Sequence, residues 1–140
     1  MIAYVDASVI LRLAFGQRNS LTEWSKIGRG ISSAFVAVES LRSLDRLRLR
    51  AQLTDAEVAT RRSAILSLIA SLELVDLDDA VLDRASQPMP TELGTLDAIH
   101  LATAILWKDM TRVEITMATH DHALGLGAQA HGLSVIGVAR

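Results

Sequence analysis

The chain is 140 residues long, 50% of them from the AVILMFWYC set and 21% charged, with 2 Pro, 8 Gly and no Cys. Such a chain is too apolar for intrinsic disorder, and its length lets it bury about 70% of the surface it exposes when unfolded, so its core needs no covalent or metal staple. The missing cysteines exclude disulfide scaffolds, thiolate zinc sites, iron–sulfur clusters and cysteine nucleophiles and fit a reducing cytoplasm, while a formal net charge of −2 argues against binding nucleic acid by bulk electrostatics.

Ile2 to Val5 is a short apolar run ending at Asp6. Its near-continuous hydrophobicity predicts a strand buried on both faces, as in a parallel sheet. Asp6 also interrupts the apolar stretch Met1 to Gly16, which no basic segment precedes, and that pattern is wrong for a secretory signal. A short strand is expected near Ile31 to Ser33. Ala34 to Arg50 and Thr54 to Ala70 follow with three-to-four-residue apolar spacing and few breakers, which predicts two helices; the second opens on Thr54 with Glu57 three residues on, a capping-box pattern.

Leu72 to Leu77 reads as a strand, and after a loop holding Pro88 and Pro90 comes a helix over Leu96 to Met110 with Thr95 as its cap. Val113 to Thr119 and Leu133 to Val138 read as two more strands, separated by a helical region. The longest stretch free of Asp, Glu, Lys and Arg, His122 to Ala139, contains two His, one Gln and four Gly and makes a poor bilayer span, so no membrane association is expected. Alternating strands and helices predict βαβ units with right-handed crossovers: a three-layer α/β/α domain around a central, mostly parallel sheet of four to five strands. No linker, repeat or low-complexity tract divides residues 1–140.

In an open parallel sheet, ligands bind beyond the carboxyl ends of the strands. Asp6 stands at such an end, and Asp121, in Thr119-His120-Asp121, stands at another from the opposite half of the chain. Each has an ordinary reading as a helix N-cap, and Ser8 is equally able to cap the helix after Asp6. Asp97 falls in the first turn of its helix, where a carboxylate meets the positive end of the macrodipole. His100, three residues on, shares its face and either hydrogen-bonds Asp97 or fills a core edge. Glu39 lies among apolar residues at the start of a helix and needs a partner, either Arg42 at i+3 or a divalent cation shared with other carboxylates.

If Asp6, Glu39, Asp97 and Asp121 converge, four negative charges repel one another unless a hard cation enters or protons are retained. Oxygen-only ligands favour Mg²⁺ or Mn²⁺ over zinc, and such a site hydrolyses phosphodiesters. His120 and His122, with His100 and His131, suggest zinc, but His-x-His lacks a further ligand at a recognisable spacing. Gly125-Leu126-Gly127 lies inside the helical region and is no phosphate loop. Without the four acids, the remaining net charge of −2 becomes +2, which is compatible with RNA. Six of the twelve arginines, Arg42, Arg46, Arg48, Arg50, Arg61 and Arg62, face only Asp45, Asp55 and Glu57 between positions 42 and 62. This local excess is either a solvated helical face or a contact surface for the RNA backbone.

These acids, in this order and context, resemble a VapC-type PIN-domain ribonuclease, the toxin of a type II toxin–antitoxin pair. The resemblance rests on Tyr4-Val5-Asp6-Ala7-Ser8, Ala37-Val38-Glu39-Ser40-Leu41-Arg42, Leu96-Asp97-Ala98-Ile99-His100-Leu101-Ala102-Thr103-Ala104 and Thr119-His120-Asp121, and so spans essentially the whole chain. It implies that Asp6 and Asp97 are the principal Mg²⁺ ligands, that Glu39 and Asp121 complete the pocket, and that Ser8 and Thr119 supply supporting hydroxyls. It further implies a homodimer, a cognate antitoxin over the acidic groove, and a structured substrate such as transfer or ribosomal RNA. Two other readings stay open: phosphoryl transfer through an aspartyl-phosphate at Asp6, and a non-catalytic dimeric module that binds RNA or protein with the same fold.

Overall fold

The computed structural model describes residues 1–139. Among them five strands and six α-helices alternate: β1 (Ile2–Val5), α1 (Ala7–Ala14), β2 (Arg29–Ser33), α2 (Val36–Ala51), α3 (Asp55–Ala70), β3 (Glu73–Val75), α4 (Asp79–Ser86), α5 (Thr95–Thr111), β4 (Thr116–Ala118), α6 (His122–Ala130) and β5 (Ser134–Ile136). The strands form one sheet in the order β3-β2-β1-β4-β5, and every pairing in it is parallel. The expected α/β architecture is therefore present, with five strands.

β1 is the central strand, and Ala3, Tyr4 and Val5 are fully buried, as its uninterrupted apolar run predicts. Strand alternation sends Ala3 and Val5 to one face, where they meet Val9 and Ile10 of α1, Val36 and Leu44 of α2, and Ile65 and Ile69 of α3. Tyr4 goes to the other face, with Ile31, Met117, Leu101 of α5, and Leu124 and Ala128 of α6. Each such aliphatic side chain contributes about 1.5–3 kcal/mol on burial, so the sheet is held from both sides.

From β1 the chain steps outward through β2 to β3, then returns to β4 and steps the other way to β5. The direction reverses between β1 and β4, and beyond the carboxyl ends of two such strands lies the crevice where open α/β sheets take ligands. The ladder is closed there, since the Asp6 N–H donates to the Ala118 carbonyl at 3.3 Å.

Local expectations fare unevenly. The capping box forms as read, with Thr54 Oγ1 accepting from the Glu57 N–H at 3.1 Å and Glu57 Oε1 from the Thr54 N–H at 3.2 Å. Thr95 does not cap α5: it is the first helical residue, and Gly94 takes the cap position without a side-chain bond. α4 has no counterpart among the expected elements, because its eight residues carry less than three turns of pattern. Gly125 and Gly127 lie within α6, where a Cβ would press on Val138 and Val135 or on Leu93 and Leu101, so they serve close packing. Among the described residues no helix is long and apolar enough to cross a membrane.

Candidate active site

Asp6 ends β1 and opens α1, so its side chain is both a helix cap and a group at the crevice. Its Oδ1 accepts from the Ser8 hydroxyl at 2.6 Å and the Val9 N–H at 3.3 Å, and its Oδ2 accepts from the Thr119 hydroxyl at 2.7 Å. The residue is 4% exposed. Burial pushes its carboxyl pKa upward, against the pull of the Ser8 and Thr119 hydroxyls, the His100 charge and the Val9 N–H.

Thr119 links the two strand ends. Its oxygen donates to Asp6 and accepts from the Asp121 N–H at 2.9 Å, while Asp121 caps α6 by accepting from the Leu124 N–H at 3.0 Å. The Ser8 oxygen in turn accepts from the His120 N–H at 2.9 Å. Behind this segment runs the end of β5, where Gly137 adopts φ +98° and a Cβ would strike the Thr119 carbonyl. Only glycine lets the backbone approach so closely in that conformation.

Glu39 occupies the first turn of α2 with a side chain 20% exposed, and His100 Nε2 lies 2.8 Å from its Oε1. The expected ion pair with Arg42 does not form. Arg42 instead binds Asp45 at 2.8 Å, three residues further along the same helix. His100 likewise does not bond Asp97. Its Nδ1 lies 2.6 Å from the Tyr4 hydroxyl, and its ring packs on Phe35 with centroids 4.8 Å apart. A buried phenol needs a polar partner, and Tyr4 beneath α5 takes one ring nitrogen and leaves the other for α2.

Asp97 is half-buried in the first turn of α5. Burial first, then the negative charges of Asp121, Asp6 and Glu39, push its carboxyl pKa up to about 6, against the pull of His100. Direct bonds thus join Asp6, Ser8, Thr119 and Asp121; Glu39 is tied to β1 through His100 and Tyr4; and Asp97 senses the other three acids through their charge.

Among the described residues no three Asp, Glu, His or Cys side chains are disposed to hold one ion together. Structural zinc, which calls for four protein ligands, does not fit, and His120 Nδ1 is bound to the Gly137 carbonyl at 2.8 Å. Magnesium has different needs. It takes one or two carboxylates and keeps its remaining positions for water and phosphate oxygens. An all-oxygen pocket in which burial and neighbouring negative charge together raise Asp97 suits that cation.

Arg42, Arg46, Arg48 and Arg50 are all exposed on α2. By helical geometry Arg46 and Arg50 lie within about 20° of Glu39 around the axis, whereas Arg48 lies about 180° away. Arg46 donates to the Ser43 hydroxyl at 3.0 Å, and Arg48 reaches Asp45 at 3.5 Å. Arg61 stacks over Phe15 with its guanidinium carbon 5.0 Å from the ring centroid, and so helps fasten α3 to α1.

Tyr4 was not among the candidate residues read from the sequence. The available signal was its position: the chain's one tyrosine, set inside a strand predicted to be buried on both faces and two residues before Asp6.

Residues 3–124 match the PIN domain family. Over 137 residues, covering 95% of this chain and 95% of the relative, the sequence is 36% identical to Ribonuclease VapC46 of Mycobacterium tuberculosis. A solved chain from a toxin-antitoxin complex of Klebsiella pneumoniae has the same fold, with a TM-score of 0.64 over 96% of this chain and 95% of that one at 15% identity.

Proposed function

Because the chain belongs to the PIN-domain family, we propose that it is a Mg²⁺-dependent endoribonuclease, acting as one unit over residues 1–140. Its substrate is a structured RNA of the transfer or ribosomal type, and it is the toxin of a type II pair, held silent in the cytoplasm by a cognate antitoxin. The likeness to a protein named a ribonuclease supports the activity, and the shared fold with a chain of a toxin-antitoxin complex fits the partner. A homodimer is part of the same proposal.

The observation that carries this reading is the gathering of Asp6, Ser8, Thr119 and Asp121 by direct bonds at the ends of β1 and β4, beside which burial and the charges of Asp121, Asp6 and Glu39 push the Asp97 carboxyl up to about 6. Carboxylates from four separate segments share one electrostatic field there, and a divalent cation relieves it. Asp6 and Asp97 would hold Mg²⁺, with Mn²⁺ an acceptable substitute, while Glu39 and Asp121 complete the pocket directly or through water. When bound, the cation supplies an ionised water at neutral pH and neutralises charge on the scissile phosphate and leaving oxygen. Ser8 and Thr119 fix the two oxygens of Asp6 from opposite sides, which holds the carboxylate at one angle before substrate arrives. The same commitment of both oxygens argues against Asp6 as a phosphoryl-accepting nucleophile.

Cleavage of total tRNA and rRNA by the purified protein tests the proposal. Cutting is expected with Mg²⁺ or Mn²⁺ and lost with a chelator, and sequencing of the product ends identifies the target. RNA binding without any cutting in either metal would favour the non-catalytic module.

Arg46 and Arg50 continue the Glu39 face of α2 away from the pocket, over about 16 Å from Glu39 to Arg50. We assign them, with Arg42 and Arg48 as further candidates, to the RNA backbone. Removing one arginine–phosphate pair reduces the slope of log affinity against log salt by about 0.7 on a single strand and about 0.9 on a duplex. The double change Arg46→Gln/Arg50→Gln is therefore expected to reduce the slope by about 1.4 to 1.8. An unaltered slope in the double variant would remove the assignment.

A further inference from the structure

Glu39 is the one carboxylate of the pocket that owes its placement to a residue outside any strand-end cap. It accepts no bond from the helix that carries it, and among the described residues its hydrogen-bonding partner is His100 Nε2, at 2.8 Å and 61 residues away in sequence. His100 is 1% exposed and locked on every side: Phe35 lies against its face, the Tyr4 ring meets it edge-on at a centroid distance of 5.6 Å and an angle of 72°, and the Tyr4 hydroxyl sits 2.6 Å from Nδ1. A ring so confined has no freedom to swing away.

We propose that His100 is a positioning residue for the nuclease, one that presents an N–H from Nε2 to Glu39, and that Tyr4 supports this direction by donating its own O–H to Nδ1. The inference rests on the nuclease reading above and deepens it by adding the Tyr4–His100–Glu39 chain that runs from the central strand to the rim of the pocket.

The polarity follows from what each atom can do. A carboxylate oxygen only accepts, so Nε2 must carry the proton; a lone pair there would face Glu39 across 2.8 Å. Both the Nε2–H tautomer and the imidazolium meet that demand, and only the Nδ1–H tautomer fails it. Glu39 excludes the failing form, and with Nε2 protonated the neutral ring offers Nδ1 only as an acceptor, which the Tyr4 hydroxyl fills as donor. The Tyr4 phenol, buried at the centre of the sheet, keeps its proton at neutral pH as any tyrosine hydroxyl does. That proton points at Nδ1 and occupies the nitrogen's lone pair, just as outer partners of catalytic and metal-bound imidazoles select a tautomer.

Three variants carry the test, each checked for folding by circular dichroism and thermal melting. His100→Leu fills the space without a donor and should lower kcat about 10- to 100-fold at unchanged KM, with a similar loss in Mn²⁺ affinity measured without RNA. His100→Gln offers an amide N–H to Glu39 and a carbonyl to Tyr4, and should recover activity to within a few-fold of wild type. Tyr4→Phe keeps the ring but frees Nδ1, so it should show a smaller fall in kcat. Nitrogen-15 spectra of the imidazole should show a proton on Nε2 and an unprotonated, hydrogen-bonded Nδ1 in the wild type, with the Nδ1 resonance losing its hydrogen-bond shift in Tyr4→Phe.

The proposal is overturned by an Nδ1–H tautomer in the wild type, by His100→Leu cleaving like wild type, or by His100→Gln being no better than His100→Leu. If His100→Leu does not fold, the glutamine rescue, the Tyr4→Phe kinetics and the spectra decide. Wild-type protein that neither binds Mn²⁺ nor cuts RNA overturns the nuclease reading itself, and is thereby distinguished from a failure at His100.

Discussion

Asp6→Asn and Asp97→Asn each lower metal-dependent RNA cleavage at least about 100-fold, since loss of an outer partner alone typically costs about 10- to 100-fold and these groups are the proposed ligands themselves. The substitution keeps the shape and removes the charge. At position 6 the amide still accepts through its oxygen, and both the Ser8 and Thr119 hydroxyls are able to rotate to meet an N–H. The far-ultraviolet circular dichroism is therefore expected to stay native while Mn²⁺ binding disappears. Full cleavage by either variant would end the metal-nuclease reading; retained RNA or partner binding beside lost cutting would separate recognition from chemistry.

Asp97→Asn has a second expected effect, of opposite sign: it makes the metal-free protein more stable at neutral pH. Asp97 rises from 3.8 to about 6 on folding, so between those values the folded chain holds a proton that the unfolded chain has released. Stability accordingly falls as pH climbs through that window and is flat above it. A shift of this size corresponds to about 3 kcal/mol for a fully buried group, and the half-exposed position of Asp97 reduces it to about 1.5. The helix N-terminus opposes with about 0.5 kcal/mol, leaving a net penalty of about 1 kcal/mol.

In a chain of this length about 1 kcal/mol is about 3 °C in melting temperature. Without metal and above the titration window, Asp97→Asn should melt higher than wild type by that amount, and the gap should close toward pH 4. Saturating Mg²⁺ should reverse the order, because only the wild type gains from binding. An asparagine variant that melts lower at neutral pH without metal would show that neither burial nor the neighbouring acids strain the ionised Asp97.

The fold was readable because its signals are local and repeated. Apolar runs marked the strands, three-to-four spacing marked the helices, and the Thr54–Glu57 box opens α3 where the pattern put it. Asp6 and Asp121 were legible for the same reason, since a strand end followed by a helix is a local event that topology then carries to one edge. Glu39's need for a partner was also visible, from its apolar neighbours. The partner was not, because His100 is 61 residues away and sits on a helix reached only by folding. The nearby choice, Arg42, was taken by Asp45 on the same helix. Tyr4 and His100, 96 residues apart, illustrate the same limit: spacing along a chain reports faces of one element and is silent about which faces meet.

The bond from Thr119 to Asp6 joins residues separated by 113 positions, between a strand made first and one made near the end. A nascent chain that has emerged only as far as α5 already carries Asp6, Glu39 and Asp97, yet it lacks the strand that supplies Thr119 and delivers Asp121. The bonded cluster of Asp6, Thr119 and Asp121 is therefore completed late in synthesis. On the proposed nuclease reading, a chain still short of Thr119 and Asp121 has no complete metal pocket and cuts nothing.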